Sequence, residues 1–515
     1  MTKPMESCYT EVIKIRKRFI YMKKLLALLL LLASVLAALA ACVEAVPEGN
    51  DAVSSEAEST EPAHLDNIPD DLKFNGEDIV ILNRALMGWT WDEVAVPELN
   101  SEPVNDAMFN RNITVTDRLN LNIVSSPIED ANENLPIDTI KRVVKSGSDE
   151  FDLVAAAVYV TTPAALEGTF HNLAQLEYLD LDQEYWMQEY NEAMSFGGAQ
   201  HTATGTIALS TYRFAFVTMF NKDAFDTKNV PYPYDAIEKN EWTLDYQASL
   251  VKDFYRDVNG NNKKDDGDFF GFASCTGINT DAYWASCHLP IVQKNSDGYY
   301  EYVLDIERFA NVMDKVLYLY YESGGTRLYT IQSRNEEQDE IRILFSKGEC
   351  AMNALRLVAV EQPDVRNMEQ QYGIVPVPKY DAAQEGYGTM IHDQFTVFAI
   401  PASAAADKLQ MIGAAMEVMA SESHKTVKPA YYEIALKRKY MSDPVAWDML
   451  DMIFAEVRVD PAVTYVVPMG TPHHRMREIV ASKKNTVSSK CAKLGGTIER
   501  YLTKMHKKLE KLAEE

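Results

Sequence analysis

None of the six cysteines in this 515-residue sequence forms a C-x-x-C pair, which removes a zinc ribbon and a thioredoxin-type redox motif from consideration. The sequence contains no G-x-S-x-G, no H-E-x-x-H and no Walker loop, so the usual signatures of serine hydrolases, zinc peptidases and nucleotide hydrolases are missing. His473-His474 is the only adjacent histidine pair, and neighbours on one chain seldom ligate one metal. Positive charge is short as well: 50 Lys and Arg face 76 Asp and Glu, a net of −26. Beyond residue 41 the balance is 43 against 74, or −31. Such a field repels phosphate backbones and anionic headgroups, which argues against nucleic acid as a ligand and keeps an exposed protein soluble.

What is present is a globular composition, 47% apolar and 10% aromatic, in a chain too long for one core, so two or three domains are expected. Residues 1–41 form a leader. From Met22 it has the three-part layout of a secretory signal: a dibasic start, an uncharged apolar run, then small residues ending at Cys42. Leu39-Ala40-Ala41-Cys42 resembles the bacterial lipobox, which implies acylation of the Cys42 thiol. The run Leu25–Ala41 is 17 residues, at the lower limit for spanning a bilayer, so the membrane is expected to be reached by a lipid anchor only. Residues 42–70 are rich in Glu, Ser, Ala and Pro with few large apolar groups, and read as a flexible tether.

Asp78–Leu82 is an apolar run of strand length, followed by Val104, Met108, Val115 and Leu119 at helical spacing and by the strand-like Leu121–Val124. Ile137, Ile140, Val143 and Val144 form a second helical stripe, which leads to a strand over Phe151–Ala157. Alternating strands and helices predict an α/β fold with a parallel sheet, whose ligands lie beyond the carboxyl ends of the strands. Leu494, Ile498, Leu502 and Met505 predict a terminal helix packed on the surface.

Five short motifs then occur in order. Phe220-Asn-Lys-Asp223 follows an apolar strand; Trp242-Thr-Leu-Asp245 opens a helix with Thr243 as N-cap. Phe345-Ser-Lys-Gly-Glu-Cys-Ala-Met352 ends a helix and opens a strand. Tyr372-Gly-Ile-Val-Pro-Val-Pro-Lys379 and Ala399-Ile-Pro401 complete the series. In order and spacing the chain resembles the family 1 extracellular solute-binding lipoproteins of ABC transporters, the group that includes the maltose-binding protein. Pro429-Ala-Tyr-Tyr-Glu-Ile-Ala-Leu436 and Met449-Leu-Asp451 are similar to a subgroup of these lipoproteins. The resemblance runs from about Phe74 to about Tyr465.

It implies a two-lobed periplasmic-binding-protein-like fold of type II, with discontinuous lobes, a hinge and an interlobe cleft. Lobe one would hold residues 71–208 and 390–445; lobe two would hold 209–389 and 446–515 with the C-terminal helices. It also implies capture of a small solute, a sugar or oligosaccharide first, by hinge closure, with delivery to ABC permease subunits. The protein would be a monomer held at the extracellular face of the cell membrane. A secreted lipid-anchored carbohydrate-active enzyme, with two carboxylates as its catalytic pair, and a sensor that binds a peptide or another non-sugar ligand are the alternatives.

Sugar rings present apolar faces and polar rims, so the cleft calls for aromatics with Arg, Asp, Asn or Gln. The candidates are Trp89 and Trp91 after the first strand, Tyr159 after the third, Tyr212 at the first crossover and Trp284 in lobe two. Asn353 and Arg356 follow Met352, and Tyr387, His392 and Gln394 lie near the second crossover. Each aromatic also fits a core position.

Asp257-Val-Asn-Gly-Asn-Asn-Lys-Lys-Asp-Asp-Gly-Asp268 carries the spacing of an EF-hand-like calcium loop. Asp257, Asn259, Asn261, Asp265 and Asp268 would supply side chains, and Lys263 its carbonyl. Asn262 stands where the loop usually has glycine, and tolerates the left-handed conformation needed there; Asp268 replaces the usual glutamate. A structural calcium ion in lobe two is therefore expected; the loop's other reading is a solvated acidic hairpin. Cys275 and Cys287 are left between a disulfide and two reduced thiols.

Overall fold

In the run Glu77–Arg84 (β1), Ile79, Ile81 and Leu82 are buried, and it pairs in parallel with Leu121–Ile128 (β2) and Leu153–Ala157 (β3). Thr396–Ala399 (β11) closes this four-stranded sheet antiparallel to β3. The computed structural model describes residues 64–85, 93–130, 132, 134–330, 336–436 and 444–514. The leader, Cys42, Trp89 and Trp91 lie outside them. Among the described residues no helix is long and apolar enough to cross a membrane.

The predicted stripes become Pro103–Leu119 (α1) and Leu135–Ser146 (α2), each with a proline in its first turn, where the missing N–H costs nothing. The helix α2 stops at Gly147, whose φ of 67° is left-handed. Val158–Ala165 (α3) follows β3 directly, and Gln188–Met194 (α4) comes before the first crossover. Residues 64–70 are not free tether. Asp66 is buried and accepts both arms of the Arg118 guanidinium, the Ser421 hydroxyl and the Ile68 N–H. Composition hid this because a single buried carboxylate, held by a guanidinium, a hydroxyl and a main-chain N–H, anchors a segment that has little apolar surface.

The second sheet has the order β10-β4-β9-β5-β8. Its strands are Phe216–Asn221 (β4), Phe270–Cys275 (β5), Thr326–Tyr329 (β8), Cys350–Arg356 (β9) and Tyr372–Val375 (β10). The strands β4, β5 and β9 are buried along their whole length, as strands covered on both faces must be. Val292–Lys294 (β6) and Tyr300–Tyr302 (β7) form a separate hairpin. Asn221 ends β4 and caps the next helix, accepting from the Ala224 N–H, and Thr243 caps Leu244–Phe254 (α5). Glu336–Ser346 (α7) packs on β9 and β5, and Ile306–Leu317 (α6) packs outside on α5.

In the C-terminal part, Leu409–Glu422 (α8) packs in the core of the first sheet. Lys428–Leu436 (α9) ends before residue 445 and Pro444–Ala455 (α10) runs through it, yet Tyr431, Leu450 and Ile453 share one cluster with Val217, Met219 and Ile374 of the second sheet. Met108 of α1 joins the same cluster, so this packing reaches both lobes. Pro461–Thr464 (α11), His474–Ser482 (α12) and Leu494–Glu514 (α13) complete the chain. Cys275, Cys287, Cys350 and Cys491 are buried and free.

Candidate functional site

Three segments pass between the sheets. The Phe216 N–H donates to the Met390 carbonyl at 3.0 Å and the His392 N–H to the Phe214 carbonyl at 3.0 Å, so the first two run side by side. Around Thr389 the second pairs with the third through Thr389 N–H to the Glu456 carbonyl and Arg458 N–H to the Thr389 carbonyl. Gly388, with φ of 63°, allows this arrangement, since a Cβ there would overlap the Ala285 carbonyl.

Register places the carboxyl ends of both sheets at these crossings. Arg84 ends β1 and Arg356 ends β9, opposite Phe216 at the start of β4, and Thr396 at the start of β11 stands opposite Ala157 at the end of β3. A cluster of charged and polar groups assembles here. The Arg477 guanidinium, from α12, grips Asp281 through Nε at 2.8 and 3.0 Å and through Nη2. Nε2 of His473 lies 4.0 Å from Asp281 and 3.8 Å from Asp393. Nδ1 of His392 is 3.4 Å from Asp393. Arg84 donates to the Gln394 carbonyl, and the Arg356 guanidinium sits 5.4 Å from the centre of the Phe214 ring.

Burial, followed by the fields of Arg356, Arg477, His473 and Arg84, holds His392 well below the usual imidazole range. Burial and the neighbouring His474 and Arg477 do the same for His473. Both rings are therefore neutral near pH 7, and each can donate from one nitrogen and accept at the other.

Of the residues expected from sequence, Arg356, His392 and Gln394 are brought into this cluster. Tyr159 is half-buried in the first turn of α3. Tyr212 instead fills an aromatic nest, with Phe454 at 4.8 Å and Tyr431 and Tyr432 at 6.0 and 6.3 Å. Asn353 stands opposite Met219 and beside Ala273, hence on the sheet face packed on α7 and α10, away from the face that carries Arg356. Trp284 is buried against Phe309 at 4.6 Å and donates its indole N–H to the His473 carbonyl at 2.9 Å. Tyr387 is buried, with the Lys379 ammonium 5.1 Å from its ring centre. Arg84, Asp281, Asp393, His473 and Arg477 were missed. Arg84 carried a signal as the residue that ends an apolar strand, and His473 as half of the one histidine pair, set aside as a metal site; the others lie in loops or on a helix with no distinctive local pattern.

Beside the cluster lies a cavity of about 570 Å³ whose walls include Trp284, Met390, Phe395, His288 and Asp460. Lys294 reaches across it to the Glu192 carbonyl and to the Ser195 hydroxyl at 3.3 Å, and burial lowers its ammonium to about 8. Arg458 and Glu189 approach to 3.6 Å at the rim.

The 257–268 loop is held by hydrogen bonds from its own side chains. Asp257 accepts the N–H groups of Gly260 and Asn262 at 2.7 and 2.8 Å. Asn259 and Asn261 accept those of Asn261 and Lys263 at 3.0 and 2.7 Å. Asn262 has φ of 58°. Asp268 accepts the Val258 N–H and the Tyr255 hydroxyl, which sits 3.4 Å from the Lys263 carbonyl. The Asn259 and Asn261 amide N–H groups, however, point at Asp265, each at 2.8 Å, so a cation requires both amides to turn their oxygens inward. Among the described residues, no three His, Cys, Asp or Glu side chains are gathered around one metal-sized point; this loop's donor set depends equally on amide and carbonyl oxygens.

No family model and no curated protein matches the chain. Solved structures do. It is similar to the GacH receptor of Streptomyces glaucescens, solved unliganded and with acarbose, at TM-score 0.53 and 13% identity over 83% of this chain and 99% of that one. A solute-binding protein of Thermotoga lettingae bound with α-D-tagatose gives 0.52 and 12%, over 83% and 100%. A family 1 extracellular solute-binding protein of Bifidobacterium longum subsp. infantis gives 0.51 and 14%, over 83% and 100%. The two open sheets, the segments that cross between them and the site at their facing ends together make this the two-lobed fold of the family 1 ABC solute-binding proteins.

Proposed function

We propose that the protein is the solute-capturing subunit of an ABC importer, that it takes a sugar or oligosaccharide between its lobes, and that it releases the solute to a membrane permease. The observation that carries this reading is the cluster at the crossings, to which β1 supplies Arg84, β9 supplies Arg356 and α12 supplies Arg477. A solute that touches both sheets favours the closed arrangement by its differential affinity for it. The site is a binder and not an enzyme on this reading, because its hydrogen-bonding groups converge on a crossing that can hinge, the device of capture by closure. Two of the three comparison proteins above are described with a saccharide bound.

Acylated Cys42 would hold the chain, as a monomer, on the outer face of the cell membrane. One calcium ion in the 257–268 loop would brace lobe two, with Asp257, Asn259, Asn261, Asp265, Asp268 and the Lys263 carbonyl as its ligands; bound there, it would cross-link the loop.

The test is thermal unfolding of residues 43–515 against mono- and oligosaccharides, peptides and polyamines. A ligand at 100 times its Kd raises stability by about 2.7 kcal/mol, so stabilisation confined to saccharides is expected. Stabilisation by peptides or polyamines alone would replace the solute class, and steady turnover of an oligosaccharide would replace the binding function.

A further inference from the structure

We infer that the outward row of basic side chains on the terminal helix α13 is a docking surface for anionic lipid, and that it decides which way the anchored protein lies on its membrane. The inference rests on the anchored reading of the protein and adds an orientation to it.

Charge is unevenly divided along the chain. Residues 483–515 carry nine Lys and Arg against four Glu, whereas residues 42–482 carry 34 against 70. On α13 the two signs also take different sides. Arg500, Lys504, Lys507, Lys508 and Lys511 are exposed and linked in steps of three and four, so they form one row about 17 Å long. Lys493, also exposed, stands just before the helix. Glu499, Thr503, His506 and Glu510 make a second row, turned towards β7. There Glu510 accepts the Tyr299 hydroxyl at 2.9 Å, His506 accepts the Tyr300 N–H, and Glu499 lies within electrostatic reach of Tyr302. Leu494, Ile498, Leu502, Met505 and Leu509 form the buried third side. Beyond it, Glu167 acts on Tyr501 but is matched by Lys141 at 3.1 Å. Lys490 pairs with Glu478 at 2.9 Å; among the described residues, Lys493, Arg500, Lys504, Lys507 and Lys508 make no ion pair. Glu514, two turns after Lys507, offsets one of them at most.

Cations without partners inside the protein are left for one outside it. Lysine outnumbers arginine four to one in the row, and an ammonium is a hydrated point charge on a flexible stem, whereas the guanidinium fork selects one carboxylate or phosphate. A lysine row therefore suits a plane of many anionic headgroups better than a shaped site. The apolar side of the helix is already buried in the protein, so the contact is electrostatic and non-inserting. Charges act over only about 8 Å at physiological salt, and a bilayer meets the sign of the nearest face, not the net −26. An acyl chain on Cys42 leaves the choice of face open. The residues between Cys42 and His64 reach at most about 75 Å, more than the width of a body whose radius of gyration is about 22 Å. The anchor supplies the high local concentration at which a row of this size can act, and the row supplies the orientation.

The experiment is lysine footprinting by mass spectrometry. Residues 43–515, with an N-terminal histidine tag in place of the lipid, are held on nickel-chelating vesicles of phosphatidylcholine, with or without phosphatidylglycerol, and treated with an amine-acetylating reagent. Acetylation of Lys504, Lys507 and Lys508 should slow about fivefold or more on the anionic vesicles. Lys145 and Lys347, on other faces of the protein, should be unchanged, and high salt should remove the difference. Arg500→Glu combined with Lys504→Glu should restore the acetylation of Lys507 and Lys508; the salt comparison decides the matter on the unaltered protein should that variant fail to fold. Equal acetylation on both kinds of vesicle overturns the inference. Slowing shared by Lys145 and Lys347 also overturns it, since that marks adsorption without orientation. Slowing by soluble polyglutamate but not by vesicles gives the face to an acidic protein and overturns the lipid assignment. The anchor is judged separately, by the mass of the chain made in a lipoprotein-processing bacterium: an unmodified Cys42 overturns the anchored reading, whatever the tagged vesicles report of the face.

Discussion

The main-chain N–H of Tyr300, in β7, donates to Nε2 of His506, in α13, at 3.1 Å. The imidazole lies near-parallel to the Tyr300 ring at 6.1 Å and to the Phe196 ring at 6.3 Å, and those two rings are themselves 6.3 Å apart. Phe196 lies just after α4, so one histidine ties the terminal helix to two segments about a hundred residues apart. The Tyr299 hydroxyl adds a bond to Glu510 at 2.9 Å. The terminal helix is therefore held by polar and aromatic contacts as well as by its apolar stripe.

The first expectation concerns acid. An Nε2 that accepts a hydrogen bond must be unprotonated, and burial lowers the His506 pKa against the opposing pull of Glu510. Stability from this contact is full above the unfolded histidine value of about 6.5 and is lost as pH falls through the lower folded value. Protection factors along residues 494–514, which divide out the pH dependence of intrinsic exchange, should be lower at pH 5 than at pH 7.5, and His506→Phe should flatten the difference. Equal protection at both pH values would show that the contact holds nothing in place.

Trp284 yields a second expectation. Its indole is buried and hydrogen-bonded to the His473 carbonyl, so truncation both opens a cavity and orphans an acceptor. Trp284→Ala should cost about 3–5 kcal/mol, visible as a lower unfolding temperature without any ligand. A variant that melts like the parent but no longer binds solute would instead make the ring a stacking platform.

The sequence told most where physics is local. The predicted β1, α1, β2 and α2 follow apolar periodicity, and Asn221 and Thr243 cap helices because their side chains act within three residues. The site was legible only in part. Arg356 and His392 sit where landmarks of the chain pointed, but Asp281, Asp393 and Arg477 meet through packing of segments more than eighty residues apart. Asn353 and Tyr212 show the converse error: polar and aromatic residues beside a landmark are as readily turned into a core, and the pleat that decides this depends on cross-strand register. Asp66 was hidden because composition does not register a single ion pair.

Glu417 sets a third expectation. On α8 it accepts the hydroxyl of Tyr185 and, at 3.0 Å, the indole N–H of Trp186, yet burial raises its carboxyl to about 7. The folded protein keeps this proton up to about pH 7, whereas an unfolded glutamate releases it near 4.3. Between those values the folded state binds more protons, so this group's contribution to stability declines as pH rises from about 4.3 to 7. Denaturant melts across that window should show the decline in the parent and a shallower one in Glu417→Gln. Identical slopes would mean that these two donors and the Asp180 N–H, which reaches the carboxylate at 3.2 Å, outweigh its burial.

The 257–268 loop gives the last. Asp257 and the left-handed Asn262 already fix a tight turn, while the amides of Asn259 and Asn261 turn N–H groups towards Asp265. Binding must therefore be a local rearrangement: two amides rotate, Asp265 exchanges amide partners for the ion, and the loop gains a cross-link. Tyr255 donates to Asp268 at 3.0 Å, close enough to transfer excitation to a lanthanide in the loop, so terbium emission excited through tyrosine is a direct readout. Calcium should compete that emission away and add about 2.7 kcal/mol of stability at 100 times its Kd; chelation should reverse both. Asp257→Ala should abolish them, because Asp257 both fixes the turn and supplies charge. Asn262→Gly should retain or strengthen binding, since glycine relieves the left-handed strain at φ of 58°. Unchanged melting with calcium, together with terbium emission that survives Asp257→Ala, would leave the loop as a hydrogen-bonded acidic turn with no ion in it.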